Sequence, residues 1–223
     1  MPVTITHSYS ALKLFDNCPK RYYHQRVAKD FVDQGGEASI HGNRIHTMME
    51  LRLRDGVVLP DEAKKYEQFC VAVEKIDGEL FLEHKMSLSK DLTPSDYDTD
   101  ETWLRSILDV FILGDDKAVI MDWKTGKRRP DFWQLELSVA QVMIHYPEVN
   151  TVNTAFVWLK SGEIDTERYT RTSLPRILER LKEKTDRIEE AVVEDVWPAK
   201  PSGLCDYCPV KNACTYAQKR WRR

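Results

Sequence analysis

The feature that most constrains the fold of this chain is a pair of apolar segments joined by a short turn, LDVFILGDDKAVIMDWKTG at 108–126. The segments 107–113 and 117–123 have the length and the branched, aromatic composition of buried β-strands. The Gly-Asp-Asp at 114–116 between them predicts a turn. Because such an apolar hairpin must be covered by other elements, the stretch predicts a sheet inside the protein.

Patterns on both sides of the hairpin predict the rest of the architecture. Helices are expected from a cap at Ser8 to a break at Cys18-Pro19, then directly after that break, and at 39–54, 61–76, 131–146 and 174–191. Strands are expected at 78–89 and as a pair within 154–170, and 90–102 is a polar loop. The length of 223 residues suits one domain, or one domain with an appendage. This order predicts an α/β domain with a small mixed sheet flanked by helices, in which the N- and C-terminal segments come together.

The charge is nearly balanced overall but uneven along the chain. There are 33 lysines and arginines against 36 aspartates and glutamates, for a formal net charge of −3. Basic residues cluster at 19–29, 124–129 and 219–223. Local basic patches on a mildly acidic protein suit a partner gripped in one groove, such as nucleic acid. The chain begins without a signal-peptide pattern and has no apolar run long enough to span a bilayer, so we expect a cytoplasmic protein with no membrane partner.

Two carboxylates interrupt the apolar hairpin. Asp109 lies within the first predicted strand, and Asp122 lies near the end of the second, two residues before Lys124. Facing carboxylates repel unless a cation lies between them, and Mg²⁺ or Mn²⁺ suits oxygen ligands. Lys124 shares a strand face with Asp122 because side chains alternate. The three residues suit metal-assisted phosphodiester hydrolysis. The alternative is that Asp109 marks a strand edge and Asp122 a strand end, with both charges in solvent.

The helix predicted at 131–146 carries one polar stripe on an apolar surface. Gln134, Ser138, Gln141 and His145 recur at intervals of four, three and four residues. Such side chains need partners, which an active site, a DNA strand or solvent would supply. The helix at 39–54 adds His46, either a good ligand for Mn²⁺ or a structural histidine.

Four of the five cysteines have the spacing of a metal site. Cys18 stands near the start, and Cys205, Cys208 and Cys214 form a C-x₂-C-x₅-C near the end. Cytosolic thiols are kept reduced, so the set indicates a metal rather than disulfides. Four thiolates suit tetrahedral Zn²⁺ or an iron–sulfur cluster. Cys70, among apolar residues of a predicted helix, is expected to be a buried thiol.

Taken together, these residues resemble the PD-(D/E)XK nucleases, and within them the RecB-like exonucleases. The stretch at 8–23 resembles their opening helix with its Cys-Pro, GNRIH at 42–46 their G-x-x-x-H, and QLELSVA at 134–140 their Q-x-x-x-Y helix. Asp109 matches their first carboxylate and DWK at 122–124 their (D/E)-x-K. The cysteine set is similar to that of iron–sulfur members such as AddB and the CRISPR-associated Cas four family.

The resemblance implies a restriction-endonuclease-like core and roles for its catalytic residues. His46, Asp109 and Asp122, with the carbonyl of Trp123, would hold Mg²⁺ or Mn²⁺. Lys124 would orient the attacking water and stabilise charge on the phosphate, and Gln134 would position Lys124 or its strand. The residues implied in DNA contact are Lys127, Arg128, Arg129, Tyr22 and Ser138. Tyr22, Tyr23 and Trp133 are candidates for stacking on bases, with burial as the alternative.

The resemblance also implies a structural [4Fe–4S] cluster, with no part in hydrolysis, bound by Cys18, Cys205, Cys208 and Cys214. It would join residues of about 8–30 and 197–223 into one module of a single nuclease domain spanning 1–223. Two positions depart from the family pattern, since Ser138 replaces the helix tyrosine and Ile107 replaces a small residue before the first aspartate. Glu83 is a further carboxylate that would support the site or face solvent.

The sequence therefore predicts a metal-dependent DNA nuclease. The resemblance favours an exonuclease acting on single-stranded DNA or DNA ends in recombination, repair or CRISPR adaptation, with a protein partner in such a complex and phage origin as one source. The alternative is a non-catalytic DNA-binding or adaptor protein that keeps the fold and the cluster as a scaffold. A redox sensor that uses the cluster is a third hypothesis.

Overall fold

The computed structural model describes residues 5–33 and 35–220. Its helices are α1 (Tyr9–Asn17), α2 (Pro19–Tyr22), α3 (Glu37–Asp55), α4 (Glu67–Val73), α5 (Trp133–His145), α6 (Leu174–Glu194) and α7 (Thr215–Arg220). Its strands are β1 (Glu79–Leu88), β2 (Leu104–Leu113), β3 (Lys117–Lys124), β4 (Thr151–Trp158) and β5 (Glu163–Thr170). The described residues form two compact units, unit 1 with residues 5–6 and 35–179, and unit 2 with residues 7–33 and 180–220. No helix among the described residues is long and apolar enough to cross a membrane.

Unit 1 contains a five-stranded mixed sheet in the order β1-β2-β3-β4-β5. Neighbouring strands are antiparallel except β3 and β4, which are parallel. A parallel pair needs a crossover connection, and α5 lies in that connection. The predicted α/β architecture, a small mixed sheet flanked by helices, is confirmed.

One face of the sheet is covered by α3 and α4. Ile45 and Met49 of α3 are 1% and 0% exposed and share a core cluster with Val110, Ile112 and Trp123 of the strands. Residues four apart lie on the same side of a helix, which explains why Ile45 and Met49 are buried together. The position after Ile45 is therefore held beside the sheet, and His46 occupies it.

The other face of the sheet is covered by α5. Phe132, just before the helix, contacts Phe156 with ring centroids 5.3 Å apart, and Tyr146, just after it, contacts Phe111 at 5.6 Å. Phe111 follows Val110 in β2, and successive side chains of a strand point to opposite faces. The crossover helix therefore packs on the face away from α3, where its apolar residues are buried.

One predicted helix is shorter than expected. The pattern at 61–76 predicted a continuous helix, but a 3₁₀ turn at Lys64–Tyr66 precedes α4. Side chains three apart share a side of a 3₁₀ turn. Ala63 and Tyr66 are thereby buried together, at 0% and 3% exposure, and this packing outweighs the α-helical pattern.

Unit 2 begins with α1, whose predicted cap is confirmed. The Ser8 hydroxyl accepts a hydrogen bond from the Ala11 N–H at 3.3 Å, and the helix ends before Pro19. A π-helical turn at Tyr23–Val27 continues α2. Within this unit Asp16 of α1 pairs with Lys184 and Arg187 of α6, so the two ends of the chain meet in one unit.

Candidate active site

A break in the hydrogen bonding between β2 and β3 shapes the candidate site. The two strands pair as far as Val110 and Met121 and then separate, whereas β3 continues alongside β4. Asp109, the next residue of β2, replaces the missing backbone acceptor, since its Oδ2 accepts the Trp123 N–H at 2.8 Å. A carboxylate thereby satisfies a backbone donor inside the sheet.

A second irregularity lies on the other side of Asp109. Glu83 of β1 stands opposite Asp109 of β2, but these two residues do not pair. The neighbouring residues on both sides of them do pair, Leu82 with Val110 and His84 with Leu108. Glu83 has a φ of +47°, in the left-handed region that residues other than glycine rarely adopt. Backbone strain of this kind costs about 1–3 kcal/mol and concentrates at functional sites.

Three side chains with metal-binding atoms converge at this point. One atom each from His46, Glu83 and Asp109 lies within 4.8 Å of the other two. His46 Nδ1 lies 3.4 Å from Asp109 Oδ2, and His46 Nε2 lies 2.8 Å from the Trp123 carbonyl oxygen. A neutral imidazole has only one N–H. Facing two acceptors, the ring either donates from both nitrogens as an imidazolium or points one lone pair towards an acceptor, where a cation would fit.

Asp122, Lys124 and Gln134 form a second cluster. Lys124 Nζ lies 2.6 Å from Asp122 Oδ2 and donates to Gln134 Oε1 at 3.0 Å, and Gln134 Nε2 donates to Asp122 Oδ1. Gln134 stands in the first turn of α5, so the crossover helix sets the position of the amine. Asp122 is only 8% exposed, and its Oδ2 has the Lys124 ammonium as a close partner. That oxygen keeps a lone pair for a cation.

The electrostatics of the site are those of crowded, desolvated carboxylates. Burial, then the charge of Asp109, raises the pKa of Glu83 to about 7. Burial, again followed by Asp109, raises the pKa of Asp122. For His46, burial alone would lower the pKa, but the hydrogen bond with Asp109 and the surrounding carboxylate charges leave it raised. A bound cation would relieve this repulsion between like charges.

The donor set fits a hard divalent cation. It offers carboxylate oxygens, a backbone carbonyl oxygen and an imidazole nitrogen, which suit Mg²⁺ or Mn²⁺. The nearby amine of Lys124 is 30% exposed. Such a site can hold a cation beside a water or a phosphate oxygen.

The predicted site residues lie in these two clusters. His46, Asp109 and the Trp123 carbonyl come together, while Asp122 lies with Lys124 and Gln134. Sequence reasoning gave Glu83 no decided role, and the structure adds it to the tightest group. The signal in the sequence was a carboxylate inside a predicted strand, FLEHK at 81–85. The register that places Glu83 opposite Asp109 cannot be predicted from one strand alone.

The polar stripe of α5 has two destinations. Gln134 reaches the site, whereas Gln141 Nε2 donates to the carbonyls of Met86 and Leu104 at 3.3 and 3.4 Å. His145 Nε2 lies 2.8 Å from the Ser87 carbonyl. Two of the four stripe residues, Gln141 and His145, therefore make hydrogen bonds with backbone carbonyls of the strands. Ser138 is buried, with 6% exposure, so its hydroxyl is not on the surface where DNA would contact it.

The other residues predicted to contact DNA are found in three environments. Lys127 and Arg129 are exposed. The guanidinium of Arg128 pairs with Glu163 at 2.9 Å and with Asp165. Burial raises the pKa of Tyr22 to about 12, and at 1% exposure its ring stacks on Trp197 with centroids 6.1 Å apart. Tyr22 is therefore a core residue, and it presents no open face for a base. Trp133, another stacking candidate, is 5% exposed.

The four spaced cysteines line one cavity of unit 2. They are Cys18, Cys205, Cys208 and Cys214, each partly buried. The backbone N–H groups of Lys200 and Ser202 donate to the sulfurs of Cys18 and Cys205 at 3.4 Å. Burial, then the proximity of the Cys18 and Cys205 thiols, contributes to the raised pKa of Cys208. Cys70 lies elsewhere, fully buried as expected.

Comparisons with known proteins agree with this geometry. The family model of the PD-(D/E)XK nuclease superfamily matches residues 6–111 and 79–215. The chain belongs to this superfamily, and its mixed sheet with flanking helices is the restriction-endonuclease-like fold. No curated protein matches the sequence.

Two solved structures superpose on this chain at low sequence identity. A protein of Eubacterium rectale, provisionally named an exonuclease, superposes with a TM-score of 0.55 at 16% identity, over 91% of this chain and 86% of its own. A protein called SSO0001 gives a TM-score of 0.48 at 10% identity, over 92% of this chain and 84% of its own. The first of these similarities supports the fold.

Proposed function

We propose that this protein is a metal-dependent DNA nuclease that hydrolyses phosphodiester bonds, and specifically an exonuclease acting on single-stranded DNA or DNA ends. The observation that carries the proposal is the convergence of His46, Glu83 and Asp109 beside the Trp123 carbonyl. Membership of a nuclease superfamily supports the reaction class. The provisional name of the Eubacterium rectale protein supports the exonuclease assignment.

The residues of the site have different roles in the proposed hydrolysis. Mg²⁺ or Mn²⁺, when bound, supplies Lewis-acid polarisation of the phosphate and lowers the pKa of a bound water. His46, Asp109, Asp122 and the Trp123 carbonyl would hold the cation, with Glu83 as a further ligand. Lys124 orients the attacking water and donates to the phosphate oxygen on which charge develops.

Positioning of Lys124 depends on its two contacts. Gln134 accepts from its amine at 3.0 Å, and Asp122 lies 2.6 Å away. These two contacts hold the Lys124 amine in one position. A displaced amine would orient the attacking water less well and would lower the rate of hydrolysis. Exposed Lys127 and Arg129 then attract the DNA backbone. DNA processing in recombination, repair or CRISPR adaptation, in a complex with other proteins, is the setting that this chemistry suits.

We also propose a structural [4Fe–4S] cluster on Cys18, Cys205, Cys208 and Cys214, which would join the two chain segments of unit 2. Four thiols on one cavity and two N–H···S bonds support it.

Metal analysis of protein purified without oxygen tests the cluster. We expect iron and sulfide in the wild type and in a Cys70→Ser control, and their loss in Cys18→Ser. Stoichiometric zinc without iron in the wild type would show that the cavity holds a different metal.

The nuclease is tested with DNA labelled at the 5′ or the 3′ end, single- and double-stranded, in Mn²⁺, Mg²⁺ or EDTA. Asp122→Asn, which keeps the shape of the side chain, should abolish cleavage and leave DNA binding intact. Asp115→Asn, in the exposed turn between β2 and β3, is the matched control and should cut normally. DNA binding without cleavage by the wild type in any metal would instead favour the adaptor hypothesis.

A further inference from the structure

Unit 2 contains a basic groove that the proposed active site does not use. The groove has a volume of about 650 Å³ and is formed by α1, by the π-helical turn and by the segment after it. Its principal side chains are Tyr9, Lys13, Arg21, Arg26, Lys29 and Phe31. All of them lie within unit 2, so the groove is defined by this unit alone.

The charge of the groove is strongly positive in a protein that is slightly acidic overall. Four of its side chains are cationic and one, Asp33, is a carboxylate. Asp33 Oδ2 lies 2.7 Å from Arg21, so this negative charge is already paired with a cation of the groove. Arg26 and Lys29 are exposed. The whole chain has a net charge of −3. The local excess of positive charge in the groove therefore predicts an anionic ligand.

Aromatic rings accompany the cations. Tyr9 and Phe31 line the groove and are both partly exposed. The ring of Phe31 packs edge-on against His24, with centroids 5.5 Å apart, which holds it in place. The Lys13 ammonium lies over the Tyr9 ring, 5.1 Å from its centre. Cations beside partly exposed aromatic rings are the composition of a surface that binds single-stranded nucleic acid, whose phosphates and bases it contacts together.

A polar group in the groove has no partner within the described residues. Gln25 Oε1 accepts a hydrogen bond from Arg21 at 3.1 Å, but its Nε2 is buried without a hydrogen bond. A buried donor of this kind costs free energy until it is satisfied. A ligand with acceptor atoms, such as a base or a phosphate, would satisfy it.

We propose that this groove binds single-stranded DNA, with phosphates on the cations and bases on Tyr9 and Phe31. The choice of DNA as the ligand rests on the proposed function, but binding of DNA in this groove does not require cleavage. A duplex keeps its bases stacked inside and offers none to the rings, and an acidic peptide would use the cations alone. The groove is thus a DNA-binding site formed by residues other than those that would bind metal.

The test measures fluorescence anisotropy of a labelled oligothymidylate with the full chain in EDTA, where no cleavage occurs. The double variant Arg26→Glu/Lys29→Glu should bind more weakly and lower the dependence of log K on log salt by about 1.4, because each lost contact to a single strand contributes about 0.7. Lys182→Glu, an exposed lysine on α6 in the same unit, is the control and should bind as the wild type does.

A second probe separates stacking from charge. Phe31→Ala should weaken binding of oligothymidylate at least about fivefold and leave unchanged the binding of an abasic deoxyribose-phosphate chain of equal length. Arg26→Glu/Lys29→Glu should weaken both. Equal affinity of the double variant and the wild type for oligothymidylate would overturn the proposal, as would tighter binding of a duplex that depends on the same residues. Because Asp122→Asn should bind the probe normally, failure of the nuclease and failure of the groove are distinguishable.

Discussion

Replacing Glu83 with glutamine should shift the stability of the protein in opposite directions with and without metal. Burial and the charge of Asp109 raise the pKa of Glu83 from 4.5 to about 7. Above pH 7, in EDTA, the folded protein therefore carries an ionised carboxylate held beside another one. Glutamine keeps the shape of the side chain and removes that charge.

The magnitude follows from the pKa. At 1.36 kcal/mol per pKa unit the difference corresponds to at most about 3.4 kcal/mol. Solvent screening of a half-buried carboxylate reduces this to roughly 1–2 kcal/mol. Glu83 binds a proton more tightly in the folded state than in the unfolded state. Its destabilising effect is therefore absent below pH 4.5, grows as the pH rises, and is complete above pH 7.

Urea unfolding in EDTA measures this effect. At pH 8 the Glu83→Gln variant should be more stable than the wild type by roughly 1–2 kcal/mol, and the difference should disappear near pH 4.5. With saturating Mn²⁺ the order should reverse, because a ligand that binds only the folded state stabilises it by an amount that grows with the logarithm of its affinity. Calorimetry should show Mn²⁺ binding weakened by about 100-fold, or about 2.7 kcal/mol, which exceeds the advantage of the variant in EDTA.

Glu79→Gln is the matched control, since Glu79 is an exposed carboxylate of the same strand. It should change neither stability nor Mn²⁺ affinity. The reasoning would be refuted if Glu83→Gln were less stable than the wild type in EDTA at pH 8, or if it bound Mn²⁺ as tightly.

Three further substitutions test other parts of the structure. Gln134→Ala should lower single-turnover cleavage by about 10–100-fold with little change in Mn²⁺ affinity, because Lys124 loses its partner; unchanged cleavage would show that Lys124 needs no such support. Gln141→Leu should lower the free energy of unfolding in urea by about 1–3 kcal/mol, because two strand carbonyls lose a buried donor, and it should not alter Mn²⁺ binding. Arg128→Ala should reduce the salt dependence of DNA binding less than Lys127→Ala, because carboxylates of β5 already neutralise Arg128; a larger effect at Arg128 would contradict this.

Local patterns carried much of the information about this fold. The apolar hairpin, the cap at Ser8 and the crossover helix were predictable because each depends on residues a few positions apart. The catalytic candidates Asp109, Asp122 and Lys124 were conspicuous for the same reason, as charged residues in apolar strands.

Features that depend on pairing between distant segments were not predictable. Glu83 joins the site because it stands opposite Asp109 in the register of two strands, and because it leaves the regular strand conformation. In the polar stripe of α5, Gln134 contacts the site whereas Gln141 donates to carbonyls of β1 and β2. The helical period of the sequence does not distinguish these two environments. Tyr22 is buried because Trp197, from the far end of the chain, covers its ring.

The composition of unit 2 has a consequence for synthesis on the ribosome. Its first piece, residues 7–33, leaves the ribosome long before its second piece, residues 180–220, has been translated. During that interval the early helices lack the partners that bury Phe15 and Tyr22. A chain that stops anywhere before residue 180 therefore exposes apolar surface that only the finished protein conceals, and it should be a substrate for chaperones and proteases.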